Sequence, residues 1–243
     1  MKNSHSFSDY GSALLEVVLP RACVSCGGRL NLREKHICIS CLADLPRTGF
    51  STMPRNQMSD RFNALLLKEG PVPYINATAL FFYRSGYKDI TRRLKYHSDL
   101  GTGRYFAAML AREMEVSELY SDVDGVIPVP LYWFRKWSRG YNQAEIIARE
   151  LAKDLGARLM TDVLVRNRRT ISQTKLSLEG KASNVSGAFS VRRGIVLSEY
   201  SHILLVDDVF TTGATLCSCY RTLRKSCVKS TKVSIVTLAY VGY

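Results

Sequence analysis

The run His202–Leu216, HILLVDDVFTTGATL, decides how the rest of the chain is read. Ile203–Val206 is a continuous apolar stretch of the kind buried in a parallel sheet. Two carboxylates follow, Asp207 and Asp208, then a turn of small residues, Thr211, Thr212 and Gly213, and a helix predicted to start near Ala214. First-turn amides have no partner within their helix and the helix dipole favours negative charge there, so this order predicts an anion site. A glycine at 213 lets the backbone approach a phosphate closely. The two aspartates cannot serve that phosphate; they suit vicinal hydroxyls or a divalent cation. A sugar phosphate with free hydroxyls satisfies both halves at once.

A chain of 243 residues, 46% apolar and 23% charged, has room for one substantial domain and a small appendage. Its net charge of +13 is unevenly placed: from Trp133 to Arg193 there are thirteen Lys/Arg against five Asp/Glu. Such a concentration suits a phosphorylated ligand or a nucleic-acid backbone, with a solvated basic surface as the plain alternative. No apolar stretch reaches about 18 residues, so no transmembrane helix is predicted. Ala13–Leu19 is short, contains Glu16 and follows no basic cluster, so it does not read as a secretory signal and the expected location is the cytoplasm.

Four of the seven cysteines form two CxxC pairs, Cys23 with Cys26 and Cys38 with Cys41, eleven residues apart. In a cytosolic chain such pairs are better explained by metal than by disulfides. Each CxxC turn supplies two thiolates, and four soft ligands in a tetrahedron suit a structural Zn2+ with no open position. An iron–sulfur cluster or a redox dithiol are the alternatives. Cys217, Cys219 and Cys227 fall in a helical pattern and are expected in or near the core.

Tyr10–Leu19 reads as a short amphipathic helix stopped by Pro20, and residues 1–46 form a first unit with the cysteine module. Residues 47–75 are polar and irregular at first, then carry Pro71 and Pro73, which predicts a linker or small lobe. From 76 to 243 strands alternate with helices, the pattern of an α/β domain with a mostly parallel sheet flanked by helices. Strands are predicted at Ala77–Tyr83, Gly125–Val129, Ile203–Val206 and Lys232–Tyr240, and helices at Tyr87–His97 and Arg104–Glu115. The clearest helix is Gln143–Leu155, with Asn142 and Glu145 as an N-cap and N3 pair and Gly156 at its end. Val163–Arg166 and Gly187–Val191 are strand candidates flanking a polar segment of about twenty residues, a length that is usually functional or disordered. Ligands of such sheets bind outside the carboxyl ends of the strands, where Asp207 and Asp208 fall.

Two basic stretches could face that end. Arg135, Lys136 and Arg139 lie in a predicted loop between Pro128-Val129-Pro130 and the helix begun at Asn142, interleaved with Trp133, Phe134 and Trp137. They could hold a diphosphate opposite the first anion site or engage single-stranded nucleic acid; a basic surface loop over packed aromatics is the alternative. The stretch after Arg166 offers Arg168, Arg169, Gln173, Lys175 and Lys181, a basic hairpin able to close over a leaving diphosphate and exclude water.

Ile203–Thr215 resembles the phosphoribosyl pyrophosphate (PRPP) signature of type I phosphoribosyltransferases: four apolar residues, two acids, an apolar pair and TTGAT. A longer ordered set is similar to the ComF family, which includes ComFC and GntX-type proteins. It comprises the two CxxC pairs, RRLKYH (92–97), PVPL (128–131), RGYNQAE (139–145), RTISQTKLSLEGKASNVSGAF (169–189) and LLVDDVFTTGAT (204–215). One local departure is His97-Ser98, where many relatives carry a glycine after LKY.

The resemblance implies a zinc-ribbon-like module joined to a type I phosphoribosyltransferase-like domain at 76–243. It implies catalytic positions at Asp207 and Asp208 on the ribose hydroxyls, and Thr211, Thr212, Gly213, Ala214 and Thr215 around the 5-phosphate. It also implies Mg2+ on the pyrophosphate. Arg135, Lys136, Arg139, Arg169, Gln173 and Lys175 are the expected contacts to pyrophosphate or a DNA backbone. The function expected is binding of PRPP or a ribose 5-phosphate ligand by a protein that handles single-stranded DNA in natural transformation, with DNA-uptake machinery at the inner membrane as a partner. The alternatives are an active phosphoribosyltransferase whose acceptor no segment reveals, and a PRPP-sensing regulator.

Overall fold

The apolar runs of the second half pair with one another in parallel. The computed structural model describes residues 21–67, 70, 72–96, 99–167 and 187–242. In it the strands are β1 (Ala77–Phe82), β2 (Gly125–Pro128), β3 (Arg158–Leu159), β4 (Leu164–Arg166), β5 (Phe189–Val191), β6 (His202–Phe210) and β7 (Lys232–Tyr240). Five of them form one sheet in the order β1-β7-β6-β2-β3, each adjacent pair parallel. β4 and β5 pair antiparallel as a separate ribbon. The helices are α1 (Ile39–Ala43), α2 (Gln57–Leu67), α3 (Lys88–Tyr96), α4 (Leu100–Glu115), α5 (Trp133–Arg139), α6 (Gln143–Asp154) and α7 (Ala214–Arg224).

Both faces of the sheet are covered, which is why Ile203–Val206 reads as an unbroken apolar run rather than an alternating one. On one face α2 and α7 pack with Phe62, Phe210, Tyr220 and Ile235 in a common core. On the other, α3, α4 and α6 gather Leu94, Phe106, Leu110 and Ile147 around Leu204. α3 and α4 cross closely: a Cβ at Gly103 would stand 2.6 Å from a methyl of Leu94. The parallel, helix-flanked sheet with an amino-terminal four-cysteine cluster is the architecture expected from the strand–helix alternation.

α6 is fixed at both ends by its own sequence. The Asn142 side chain accepts the Ala144 amide at 3.1 Å, satisfying a donor that the helix leaves open. At the other end Gly156 takes φ +67, and the bonds Ala157 N to Ala152 O and Gly156 N to Lys153 O close a Schellman motif. Glu145, expected as the N3 partner, pairs with Arg149 instead.

Other segments differ from the reading of the sequence. Within 47–75, expected to begin irregularly, α2 is a helix whose Met58, Phe62 and Leu66 are buried in the core. Its polar residues Ser59 and Asn63 are also buried, the Asn63 amide bonding both the NH and the carbonyl of Ile75. α4 starts four residues earlier than predicted because Asp99 caps it, accepting the Thr102 amide at 3.0 Å. The expected loop at 133–139 is a short helix, α5. β6 runs four residues past Val206 because β7 keeps pairing with it to Phe210↔Tyr240. The predicted helix Tyr10–Leu19 and the turn at His97-Ser98 lie outside the described residues. Among the described residues, no helix is long and apolar enough to cross a membrane.

At the amino end of the sheet His202 is buried, with Nδ1 2.6 Å from Asp122 and Nε2 2.8 Å from the Ser234 hydroxyl. Tyr120 stacks on its ring, and Lys232 bonds the other oxygen of Asp122. Burial pushes the His202 pKa below its ordinary 6.5, against the pull of Asp122. The folded state therefore binds this proton less readily than the unfolded chain does, so the stabilisation is full above 6.5 and is lost as the pH falls through it. We expect the unfolding free energy of the wild type minus that of His202→Gln, measured by denaturant titration, to grow by up to about 1.4 kcal/mol per unit as the pH rises from 5 toward 6.5. A pH-independent difference would refute this account.

Candidate functional site

β2 and β6 part company at one residue. Val129 N donates to Val206 O at 2.8 Å, and Pro130, without an N–H, cannot continue the ladder. From Asp207 on, β6 is paired on its β7 side only. The chain also winds away from this seam in both directions, β2 to β3 on one side and β6 to β7 on the other. Open α/β sheets place their ligands at the carboxyl end of such a seam. The two carboxylates thus stand in the strand itself, not after it, where its flank is open.

Successive strand residues face opposite ways, and the two acids meet different neighbours. Asp208, on the face covered by α3, has Oδ2 2.7 Å from the ammonium of Lys95. Asp207 accepts the Asp208 amide at 2.8 Å and lies near the buried thiol of Cys219 on α7. Burial, reinforced by the charge of Asp208, lifts the Asp207 carboxyl to about 7, against the pull of the Asp208 amide and Lys95. Burial disfavours the Lys95 charge, but Asp208 outweighs it and the lysine pKa rises. Lys95 is the residue that sequence reasoning left without a role; its signal was its place in RRLKYH.

The turn after β6 is built as expected. Gly213 caps α7 with φ +77, a conformation costly for other residues. A Cβ there would sit 2.7 Å from Phe210 Cζ and 2.9 Å from Leu65 Cδ1. The loop therefore rests on Phe210 and α2. Thr212 Oγ1 accepts the Ala214 amide at 3.4 Å; Thr211 is exposed, while Ala214 and Thr215 are half-buried.

α5 follows Pro130 and leads into α6, whose Asn142 bonds the Val129 carbonyl at 3.0 Å. Arg135 and Lys136 are on α5, and their side chains lie outside the description. Arg139 is half-buried and donates to Gln143 Oε1 at 3.1 Å. Trp137 is 79% exposed and Phe134 43%, their rings 6.3 Å apart. Arg168, Arg169, Gln173, Lys175 and Lys181 lie outside the described residues. The ribbon flanking them closes at Asn167 N to Ala188 O, 2.8 Å.

The four cysteines converge. The sulfurs of Cys23, Cys26, Cys38 and Cys41 all lie within 4.8 Å of one another, Cys26 and Cys38 at 3.9 Å. A tetrahedral ion with bonds of about 2.3 Å needs sulfurs about 3.8 Å apart, so the set fits with little movement. Gly27, at φ +75, lets the first turn close, with Gly27 N bonded to Cys23 O and Gly28 N pointing at Cys26 Sγ. Burial would raise the Cys23 thiol, but the amides of Cys26, Cys38 and Ser25 bring it down to about 6. Cys217 and Cys219 are buried, and Cys227 packs partly buried against the core.

No family model matches the chain. It is 27% identical over 217 residues to Competence protein F of Haemophilus influenzae, covering 87% of this chain and 94% of that one. It is 26% identical over 206 residues to the DNA utilization protein YhgH of Salmonella typhimurium, covering 82% and 89%. With Competence protein ComFC of Streptococcus pneumoniae the identity is 26% over 201 residues, covering 81% and 84%. The ComF resemblance is therefore borne out: the chain's curated relatives over most of its length are competence and DNA utilization proteins. Among solved structures, adenine phosphoribosyltransferase from Leishmania tarentolae is 14% identical over 81% of this chain and 94% of that one, with a TM-score of 0.34. An allosteric regulatory enzyme of purine biosynthesis is 22% identical over 55% of this chain, with a TM-score of 0.34; the match spans 25% of its length.

The cysteine geometry carries its own test. Elemental analysis of the purified protein is expected to find one thiolate-held metal ion per chain, and Cys38→Ser should lose it. A metal-free wild type isolated under reducing conditions would count against the cluster as a metal site.

Proposed function

We propose that the crevice beside Asp207 binds PRPP or a related ribose 5-phosphate, and that the protein acts on single-stranded DNA during DNA uptake. The observation that carries the first part is the placing of two carboxylates at an open strand edge, one turn away from a glycine-capped helix start. In this reading the ribose hydroxyls donate to Asp207 and Asp208. The 5-phosphate is held by amides and hydroxyls of Thr211 to Thr215, where the start of α7 favours an anion. Arg135, Lys136 and Arg139, together with Arg169, Gln173 and Lys175, are the groups proposed to meet the pyrophosphate. Mg2+ fits the oxygen-rich pairing of diphosphate and acids, and would neutralise charge on the leaving group. The ion in the cysteine cluster is proposed to be Zn2+, structural because all four positions are taken by thiolates.

If the pocket is catalytic, it needs no covalent residue: loss of pyrophosphate passes through a sugar cation that carboxylates and positioning stabilise. By calorimetry, PRPP with Mg2+ should bind the wild type. Asp208→Asn should weaken it at least tenfold, about 1.4 kcal/mol. Equal affinity in the two proteins would sink the pocket assignment, and pyrophosphate release from PRPP would separate an enzyme from a binding module.

The exposed pair Phe134 and Trp137, set among basic residues on α5, favours the DNA part of the reading. Aromatic faces stack bases at about 1–3 kcal/mol each while cations follow the backbone. The names of the relatives, competence and DNA utilization, point the same way. Single-stranded DNA affinity should fall with salt, and neutralising Arg135, Lys136 and Arg139 should reduce the log–log slope by about 2. Trp137→Ala should weaken binding at every salt concentration. Binding unchanged by all four substitutions would place the DNA surface elsewhere.

A further inference from the structure

The cysteine module reaches the acid pair through α3 and the start of α4. Just before α3 Tyr87 donates its hydroxyl to the carbonyl of Cys41 at 3.1 Å. In the first turn of α4 the Thr102 hydroxyl donates to the capping carboxylate of Asp99 at 2.6 Å. That leaves the Thr102 oxygen to accept from His36 Nδ1, 3.0 Å away. The His36 ring lies against Tyr105, 5.4 Å between centroids, and closes over Gly101, where a Cβ would come 2.8 Å from its Cε1. The module's Cys23, Val24 and Ile37 share one buried cluster with Ile90 and Leu94 of α3. α3 then ends by presenting Lys95 to Asp208 at 2.7 Å, beside Tyr141, whose hydroxyl bonds the Leu94 carbonyl.

We propose that the four-cysteine module is a positioning element for the acid pair: Tyr87 holds the start of α3, His36 holds the start of α4 packed against it, and α3 sets Lys95 against Asp208. Neither His36 nor Tyr87 touches the crevice; both act through Lys95. The consequence for ligand affinity rests on the pocket reading above, but the mechanical link does not.

Two readouts on the full-length, metal-loaded, ligand-free protein test it. The first is the NMR titration of Asp207, whose charged neighbours are Asp208 and Lys95, with the thiol of Cys219 behind it. Lys95→Met should raise its midpoint, since an ammonium nearby favours the charged carboxylate. The double variant His36→Ala/Tyr87→Phe should raise it in the same direction, by roughly 0.3–0.5 units, a part of the one-to-three-unit influence a close cation exerts. The second is amide exchange: residues 88–96 should lose protection by about tenfold, equivalent to roughly 1.4 kcal/mol of local opening, while β7 stays as in the wild type. A double variant that keeps its metal with both readouts unmoved would overturn the proposal. Should that variant loosen throughout, Tyr87→Phe alone, which removes one hydroxyl, decides on the same readouts. Neither measurement uses a ligand, so failure to bind PRPP would remove the pocket reading and leave this link standing.

Discussion

The last backbone bond that β2 gives β6, from Val129 to Val206, sets the conditions for everything at the carboxyl end of the sheet. Had the ladder continued, Asp207 and Asp208 would lie closed in on both sides, and two buried carboxylates without compensation are too costly to keep. Pro130 stops it, while β7 holds β6 extended to Phe210. The acids are thereby fixed in direction by one neighbouring strand and left without strand pairing on the side of the other. Even so the burial shows: one carboxyl is lifted into the neutral range and the other is matched by a lysine. Shifted and paired ionisable groups of this kind concentrate at functional sites, which is the ground for the reading proposed above.

The two layers around the sheet divide the work of supporting that site. The α2–α7 layer supplies the floor of the small-residue turn, through Phe210 and Leu65. The α3–α4–α6 layer supplies Lys95, and the cysteine module is continuous with it through shared buried residues. A four-cysteine module of this size has little core of its own; here it shares one with the domain.

Elements whose pattern is local were legible in the sequence. β6 and β7 announced themselves as apolar runs, and α6 by its asparagine cap and terminal glycine. The cluster of cysteines followed from spacing alone. What stayed hidden depends on partners far along the chain. Lys95 meets Asp208 across a gap that no periodicity reports. α2 carries asparagine and serine on a buried side, where their amides and hydroxyls serve backbone groups, so its polar letters masked a core helix. The extension of β6 came from β7, and the helical form of 133–139 had no cap or spacing to declare it. The order of strand, small-residue turn and helix was legible because all three follow one another within fifteen residues, although the acids fall inside β6 rather than after it.

The support of Gly213 by Leu65 has a bearing on how such proteins can be recombined in evolution. A graft that joined a foreign amino-terminal piece at Asn76 would carry the sheet, both acids and the turn, yet leave Phe62 and Leu65 behind. Phe210 would lose an edge-on aromatic partner and the turn its lower wall. The inheritable unit for this turn therefore reaches back at least to the start of α2, and swaps that keep its support should fall before Gln57 rather than after it.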